Sequence, residues 1–419
     1  MSFWKRWRTS IFLFFAVLGP GFITANVDND SGGIFTYSQA GAQYGYKLLW
    51  TMIPITIALI VVQEMCARMG VVTGKGLSDL IREEFGLRMT FIVMMLLVIV
   101  NIGNVISEFA GIAESMELFH GNKYIVVPIC AFAVWALVVW GDYKRVEIIF
   151  LLGSLIYVAY IISGVLAQPS WHEALAETVK LPARAVWSDH NYVYMVVGVI
   201  GTTISPWMQF YMQASVVEKG TTVRQYAASR LDVIIGSIFS DVVAWFIIVA
   251  CAATLWTHGI RDIGSAADAA QAMKPLADKF AYILFAAGLF NASFFAASVL
   301  PISTAYSVCE GLGFESGVDK KFKQAPFFYW LYTLLIVSGA GVVLITNHDN
   351  YVKIIIRSQV LNGVLLPFVL YFMLKLANNK ELMGKHTNRR WFNAIAYSTA
   401  VIVVGLSLVM FWQGIRGAS

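Results

Sequence analysis

Eleven times along this chain, apolar residues run on for about 20 positions with few charges among them, which is the length a helix needs to cross the hydrocarbon core of a bilayer. The runs lie near 11–41, 47–70, 89–118, 123–141, 145–168, 191–217, 229–256, 278–309, 325–346, 352–376 and 391–414, joined mostly by short loops. Inside hydrocarbon each backbone N–H and C=O must be paired within its own segment, so such runs become helices. A soluble core is excluded by amount: the chain is 58% hydrophobic and only 13% charged, about half the charge of an ordinary soluble protein. The expected fold class is an all-α integral membrane protein, with 1–419 forming one transmembrane domain.

Charge orients the loops. With the N-terminus in the cytoplasm, that side collects Lys5, Arg6, Arg8, Lys75, Arg82, Lys144, Arg145, Lys219, Arg224, Lys320, Lys321, Lys323, Lys380, Lys385, Arg389 and Arg390, while the other side holds a scatter such as Lys123, Lys180, Arg184, Arg261 and Lys274. Positive loops stay inside, so the expectation is a multi-pass protein of the cell membrane with the N-terminus cytoplasmic and the C-terminus outside. The basic segment Met1–Arg8 leads into an apolar run with no small-residue cleavage site, and that run is read as the first helix and not as a signal peptide. A net charge of +5 spread over short loops gives no surface for nucleic acid. Cys66, Cys130, Cys251 and Cys309 match neither a disulfide nor a zinc spacing and are read as buried, idle thiols. No hydrolytic triad, phosphate loop or two-cysteine clamp is present, so neither an enzyme nor a bound cofactor is expected.

Two runs depart from the apolar rule. The first contains Gly19-Pro20-Gly21 and then Asn26-Val27-Asp28-Asn29-Asp30-Ser31-Gly32-Gly33. No continuous helix in lipid accommodates two carboxylates, amides and a glycine pair at mid-depth unless its backbone unwinds toward a cavity. The sixth contains Gly198 and Gly201-Thr202-Thr203-Ile204-Ser205-Pro206-Trp207, a polar centre broken by proline. Broken helices five apart are the mark of an inverted five-helix repeat, with the substrate held between the breaks. The repeats then run over about 11–168 and 191–376, with an extra helix at about 391–414.

The break in the first run carries Asp28 and Asp30. On an intact helix they would point about 200° apart, but an unwound segment can aim either one into the cavity. A buried carboxylate needs a counter-charge, hydrogen bonds or a metal ion. The competing reading is that the two cap the half-helix that begins near Gly32. Elsewhere at depth, Glu64 and Arg68 are spaced as an i,i+4 pair. Glu108 either lines the pathway or meets an arginine, Arg357 is placed to neutralise a carboxylate on another helix, and Glu114, Asp232 and Asp241 are further ionisable residues at depth. Trp207, just past the break in the sixth run, either packs between helices or shapes the cavity.

These segments together resemble the Nramp family of divalent-metal transporters, and the resemblance covers nearly the whole chain. It rests on Gly19-Pro20-Gly21 eleven residues ahead of Asp30, on Gln39-Ala40-Gly41-Ala42 and Gly45-Tyr46-Lys47-Leu48-Leu49-Trp50, on Val72-Thr73-Gly74-Lys75-Gly76-Leu77 with Ile81-Arg82 and Phe85-Gly86, and on Ser358-Gln359-Val360 with Leu366-Pro367-Phe368. The resemblance implies a LeuT-like fold, an inverted five-plus-five repeat with an eleventh helix, and transport by alternating access. By position it makes Asp30 the metal-binding carboxylate, gives the coordinating carbonyls to Val27 and Thr202, and matches Gln359 to a tenth-helix glutamine able to join the site.

The departures from the family pattern are specific. Its Asp-Pro-Gly-Asn motif reads Asp30-Ser31-Gly32-Gly33 here, so the metal-binding asparagine falls on Gly33. Its Met-Pro-His motif reads Ser205-Pro206-Trp207, a second histidine falls on Met212, and the acidic residue tied to proton transfer falls on Gly111, with Glu108 at the neighbouring acidic position. Losing a thioether removes the preference for soft metals. Fewer side-chain ligands leave room for water, which suits Mg²⁺. The pattern is similar to the branch called Nramp-related magnesium transporters. Losing the histidines and the acid at Gly111 weakens proton coupling, while membrane potential alone supplies a divalent ion with about 4.6 kcal/mol per 100 mV, twice the single-charge value.

The sequence therefore leads us to expect a monomeric carrier of Mg²⁺, with Mn²⁺ tolerated, whose partners are the ion and the lipid bilayer. Asp30 is the expected ligand, with Val27 and Thr202 giving carbonyls, Ser205 and Gln359 auxiliary, and Asp28 adding charge. Gly33, Trp207, Met212, Glu108 and Gly111 shape the pathway. The alternatives are a carrier of a small organic solute such as an amino acid or related anion, and a membrane sensor or scaffold that transports nothing.

Overall fold

The structure, a computed structural model, describes residues 24–25, 27–140, 157–318 and 320–417. Gly19-Pro20-Gly21, Asn26 and the first part of the fifth apolar run lie outside the described residues. The main helices are α1 (Ser31–Tyr44), α2 (Met52–Thr73), α3 (Leu77–Glu117), α4 (Lys123–Val139), α5 (Val158–Leu166), α6 (Trp171–Val179), α7 (His190–Thr203), α8 (Pro206–Glu218), α9 (Tyr226–Cys251), α10 (Ala281–Leu312), α11 (Pro326–Ile345), α12 (Tyr351–Asn378) and α13 (Arg390–Gly417). Among the described residues there is no strand.

Eight helical segments are long and apolar enough to cross a membrane, and Lys123–Val139 is a shorter apolar helix. The segment 31–73 carries the end of the first expected run and all of the second, joined through a tight turn at Gly45–Thr51. The fold is an all-helical membrane bundle, as the apolar runs dictate.

The third helix begins at Leu77 and not near residue 89. Its opening turns carry Asp79, Arg82, Glu83 and Glu84, which hide them from a reading based on hydropathy. Gly86 then adopts φ 78, ψ 166 and bends the chain into the apolar part, a conformation that suits a residue without Cβ. The long connection after α5 is also not plain loop, since it folds into α6.

Lipid tails are as apolar as leucine, so helices in a membrane associate through close packing and polar contacts and gain little from the hydrophobic effect. The crossing of α7 and α12 shows how close. A Cβ on Gly201 would stand 2.0 Å from the Gln359 carbonyl oxygen, and one on Gly363 would stand 2.5 Å from that of Val197. The two backbones touch, and Gln359 is thereby pressed against the break in the sixth span. At the other extreme, α13 lies on the outside of the bundle and exposes Val401, Ile402, Leu408, Phe411 and Trp412.

At the Lys/Arg-rich end, Arg68 pairs with Glu64 at 3.2 Å, the i,i+4 contact the spacing predicts. Its guanidinium also reaches the His386 carbonyl and the Asn388 side chain, tying α2 to the segment before α13. The four cysteines are free and buried. Arg357 departs from expectation. It sits exposed on α12 beside the Tyr194 hydroxyl, because Ser358, Gln359 and Asn362 take the inward face of that helix.

Candidate functional site

Val27 is helical, Asp28–Asn29–Asp30 is not, and helix resumes at Ser31. Asp30 makes the restart. Its backbone is extended (φ −71, ψ −169) and its Oδ1 accepts the Gly33 N–H at 2.9 Å, the geometry of an N-cap. The capping role anticipated for the acidic pair thus belongs to Asp30, which is 7% exposed. Ser31 donates its N–H to Glu108 Oε2 at 3.3 Å. In an unbroken helix that N–H would go to the Val27 carbonyl four residues back, so the Val27 oxygen is released. At Gly33 a Cβ would lie 2.3 Å from the Asp28 carbonyl oxygen. The asparagine of the family motif has no room on this backbone.

The break in the sixth span has another origin. After Thr203, Ile204 (φ −120, ψ 58) leaves the helix and Ser205 (φ −66, ψ 137) is extended. Pro206 then opens α8 at its first position, where a missing N–H costs nothing. The same missing N–H leaves the Thr202 carbonyl without its helical donor. Ser205 turns its hydroxyl back to the carbonyls of Gly201 (2.7 Å) and Thr202 (3.1 Å) and keeps its oxygen lone pairs free of that contact. Trp207, 2% exposed, packs beside Tyr211 with ring centres 6.1 Å apart, and its carbonyl accepts from Ser303 at 3.3 Å.

The two breaks lie head to tail. Thr24, ahead of the first break, sits 3.9 Å from the Met212 sulfur, beyond the second. Tyr37, beyond the first break, meets the Thr203 hydroxyl at 2.7 Å, ahead of the second. Gln359 joins them: its backbone presses on Gly201, and a Cβ on Gly32 would come within 2.1 Å of its Nε2.

Glu108, fully buried, stands against the Asp30 carboxylate, and its Oε1 has no donor. Among the described residues no arginine meets it. Two carboxylates this close in a dry setting must share a positive charge, whether a metal ion or a proton. One turn along α3, Gly111 brings the helices together: a Cβ there would meet Ser293 Oγ at 2.4 Å and Ser31 Cβ at 2.5 Å. The acid that the family carries at this position has no space.

Gln359 is held by a chain of buried amides. Its Oε1 accepts from Asn362 at 2.9 Å and its Nε2 donates to Ser358 at 3.1 Å. Asn362 and Asn104 exchange hydrogen bonds at 2.8 and 3.1 Å, and Asn101 reaches Thr304 at 2.8 Å. The apolar pattern does not single out these asparagines. The available signal was their i,i+3 spacing, Asn101 with Asn104 and Gln359 with Asn362, which places each pair on one helix face.

Asp28 goes elsewhere. Its Oδ2 accepts from Ser240 on α9 at 3.1 Å, and its neighbour Asn29 bonds the same hydroxyl at 2.9 Å. Of the expected ligands, the structure gathers Asp30, Gln359, Val27, Thr202 and Ser205 around the two breaks, with Glu108 beside them, and turns Asp28 away. Among the described residues no three His, Cys, Asp or Glu side chains converge as a metal cage. An ion here would meet one or two carboxylates, carbonyls, an amide and water, a donor set for a hard cation.

Two interrupted spans packed head to tail in an apolar helical bundle define a LeuT-like membrane protein. The chain belongs to the Nramp family: it matches the description natural resistance-associated macrophage protein-like over residues 21–413. It is 26% identical to a divalent metal cation transporter, MntH, of Pectobacterium carotovorum, over 98% of this chain and 97% of that protein. It is 26% identical to the protein of the same name from Klebsiella pneumoniae, over 94% and 92%. Among solved structures it is similar to the Eremococcus coleocola manganese transporter, at 22% identity and TM-score 0.78 over 98% of this chain and 88% of that one. It is also similar in fold to MHP1, a nucleobase-cation-symport-1 family transporter, at 11% identity and TM-score 0.58 over 95% and 93%.

Proposed function

We propose that this chain is a carrier of divalent metal cations, and not an enzyme, working by alternating access with Mg²⁺ and Mn²⁺ as its preferred ions and no obligatory proton coupling. The observation that carries the reading is Asp30: a buried carboxylate at a helix break, facing Glu108 and, among the described residues, no cationic side chain, with the Val27 and Thr202 carbonyls deprived of their helical N–H donors at the two breaks. Relatives named as divalent metal cation transporters support a metal ion as cargo. The preference for a hard ion follows from Ser205 and Gly33, which bring neither thioether nor amide to the site. Uncoupled transport follows from Gly111, Trp207 and Met212, which put no titratable group where the family pattern carries its acid and histidines.

In this reading the repeats over about 11–168 and 191–376 move against each other around the breaks. The N-terminus is cytoplasmic, the C-terminus lies outside, and the chain works as a monomer in the cell membrane. A small organic anion is the alternative cargo, and the paired carboxylates of Asp30 and Glu108 oppose it by repulsion. The test is uptake into liposomes of Mg²⁺, Mn²⁺, Ca²⁺ and Fe²⁺ under an imposed potential, with an internal pH dye. Mg²⁺ and Mn²⁺ uptake without acidification is expected. Uptake confined to Fe²⁺ and Mn²⁺, or acidification in step with the ion, overturns the proposed selectivity or uncoupled mechanism.

A further inference from the structure

On the opposite flank of the break, a second pair of carboxylates remains that the Asp30 site does not use. Asp28 is 2% exposed and Asp241, on α9, is 4% exposed. Asp28, just ahead of α1, accepts from Ser240, the residue beside Asp241 on α9, and the two carboxylates lie close enough to repel one another. Among the described residues, Asp28 Oδ1 and both oxygens of Asp241 accept no hydrogen bond, and Ser240 on Asp28 Oδ2 is the one donor the pair receives. Nearby hydroxyls are spent elsewhere. Thr56 stands beside Asp241 but gives its proton to the Met52 carbonyl at 2.7 Å. Thr203 gives its proton to the Val199 carbonyl at 2.8 Å, so Tyr37 must donate to Thr203 and offers the carboxylates only lone pairs. Among the described residues, no lysine, arginine or histidine acts on either carboxylate.

Two further polar groups on the same walls have no partner. The Asn29 amide nitrogen is fixed on Ser240 while its Oδ1, fully buried, bonds nothing. The Ser237 hydroxyl, 1% exposed and also unpartnered, lies one turn from Asp241 on the face of α9 that meets α1. That face is fixed by Gly41 of α1, where a Cβ would stand 2.5 Å from the Ile248 carbonyl oxygen and 2.8 Å from Cys251 Cβ, so Ser237, Asp241, Ala244 and Ile248 share one stripe. Protein oxygens do not collect in a dry interface with so few donors unless something positive sits among them. All of them are hard, and the formal charge of the pair is that of a divalent ion reversed.

We propose that Asp28 and Asp241, with Asn29 and Ser237, form a second cation site between the break in the first span and α9, and that it takes a second divalent ion of the transported class. The proposal rests on the divalent-cation reading of the Asp30 site. A single residue separates Asp28 from Asp30, so an ion at one carboxylate fixes the backbone that presents the other.

The test counts ions on the full-length protein in lipid nanodiscs, by calorimetric titration with Mn²⁺ and by the EPR signal of free Mn²⁺. Two ions per chain are expected for the wild type, one for Asp241→Asn and one for Asp30→Asn, with excess Mg²⁺ displacing both ions and excess Na⁺ displacing neither. Asp28→Asn reads the same site should Asp241→Asn not yield a monodisperse protein. One ion per wild-type chain, unchanged by Asp241→Asn and lost with Asp30→Asn, overturns this proposal and leaves the Asp30 site standing. Two ions reduced by Asp241→Asn and untouched by Asp30→Asn keep this site and sink the other. Displacement by Na⁺ overturns the divalent assignment.

Discussion

The first and sixth spans are interrupted at matching places by different means. The sixth break is covalent in origin: Pro206 lacks an N–H, Ser205 is extended, and no charge takes part. The first is electrostatic and borrowed. Asp30 caps its own half-helix, and the Ser31 N–H is drawn away by Glu108 of another helix. One break exists whatever occupies it. The other depends on what lies between Asp30 and Glu108, so that is where an ion can bias the conformation of the carrier, since a ligand shifts an equilibrium only by its differential affinity for the two states.

The largest effect should therefore come from the first break. Asp30→Ala removes the cap and the carboxylate together and leaves Glu108 as the one carboxylate beside the break to meet the ion. A contact to a charged group is worth about 1.5–3 kcal/mol and a helix cap about 1 kcal/mol, so Mn²⁺ and Mg²⁺ uptake should fall by about 100-fold at 1.4 kcal/mol per tenfold. Tracer uptake in liposomes of matched protein content measures it. Uptake near the wild-type level would remove Asp30 from the site.

Next comes Pro206→Ala. Residue 206 regains an N–H that can fill the Thr202 carbonyl and draw α7 and α8 into one helix. We expect uptake to drop by about tenfold, the worth of roughly one hydrogen bond to a charged partner, with the fold intact by circular dichroism. A loss greater than that of Asp30→Ala would reverse the ranking of the two breaks.

How much of this was legible in the sequence divides along the same line. The apolar runs, both breaks and the Glu64–Arg68 pair are local patterns, set by residues a few positions apart, and among the described residues they are found where the spacing places them except that α3 opens earlier, at Leu77. The sixth break is fully legible because proline acts on its own chain. The first was legible as a break, and Asp30 as its key residue, but not the direction in which Asp28 turns. That direction depends on Ser240, 212 residues away, and the support of Gln359 depends on an Asn104–Asn362 contact across 258 residues. Contacts of that kind depend on which helix faces meet, and no window of sequence contains both partners.

The asparagine pair gives the third prediction. Asn362→Ala strands the Asn104 amide and frees Gln359 beside Gly32. A buried amide left unpaired costs about 1–3 kcal/mol. Part of that falls on folding, so the thermal midpoint in detergent should drop and ion affinity should weaken by up to about tenfold. Asn362→Asp restores an acceptor for Asn104 but not the donor to Gln359, and should recover the midpoint more than the affinity. Equal recovery of both would mean that Gln359 owes nothing to the network.

The smallest effect bears on the sixth break itself. Ser205 gives its proton to the Gly201 and Thr202 carbonyls, which leaves its lone pairs able to face an ion. A hydroxyl that bonds backbone oxygens and ligates at once should show both losses when removed. Ser205→Ala is therefore expected to weaken Mn²⁺ binding by about fivefold, near 1 kcal/mol, while lowering the thermal midpoint slightly. Ser205→Thr, which keeps the oxygen, should restore the affinity. A lowered midpoint with unchanged affinity would show that the hydroxyl serves the carbonyls alone. The sixth break would then contribute only main-chain oxygen to the ion, and every charged contact in the carrier would belong to the first.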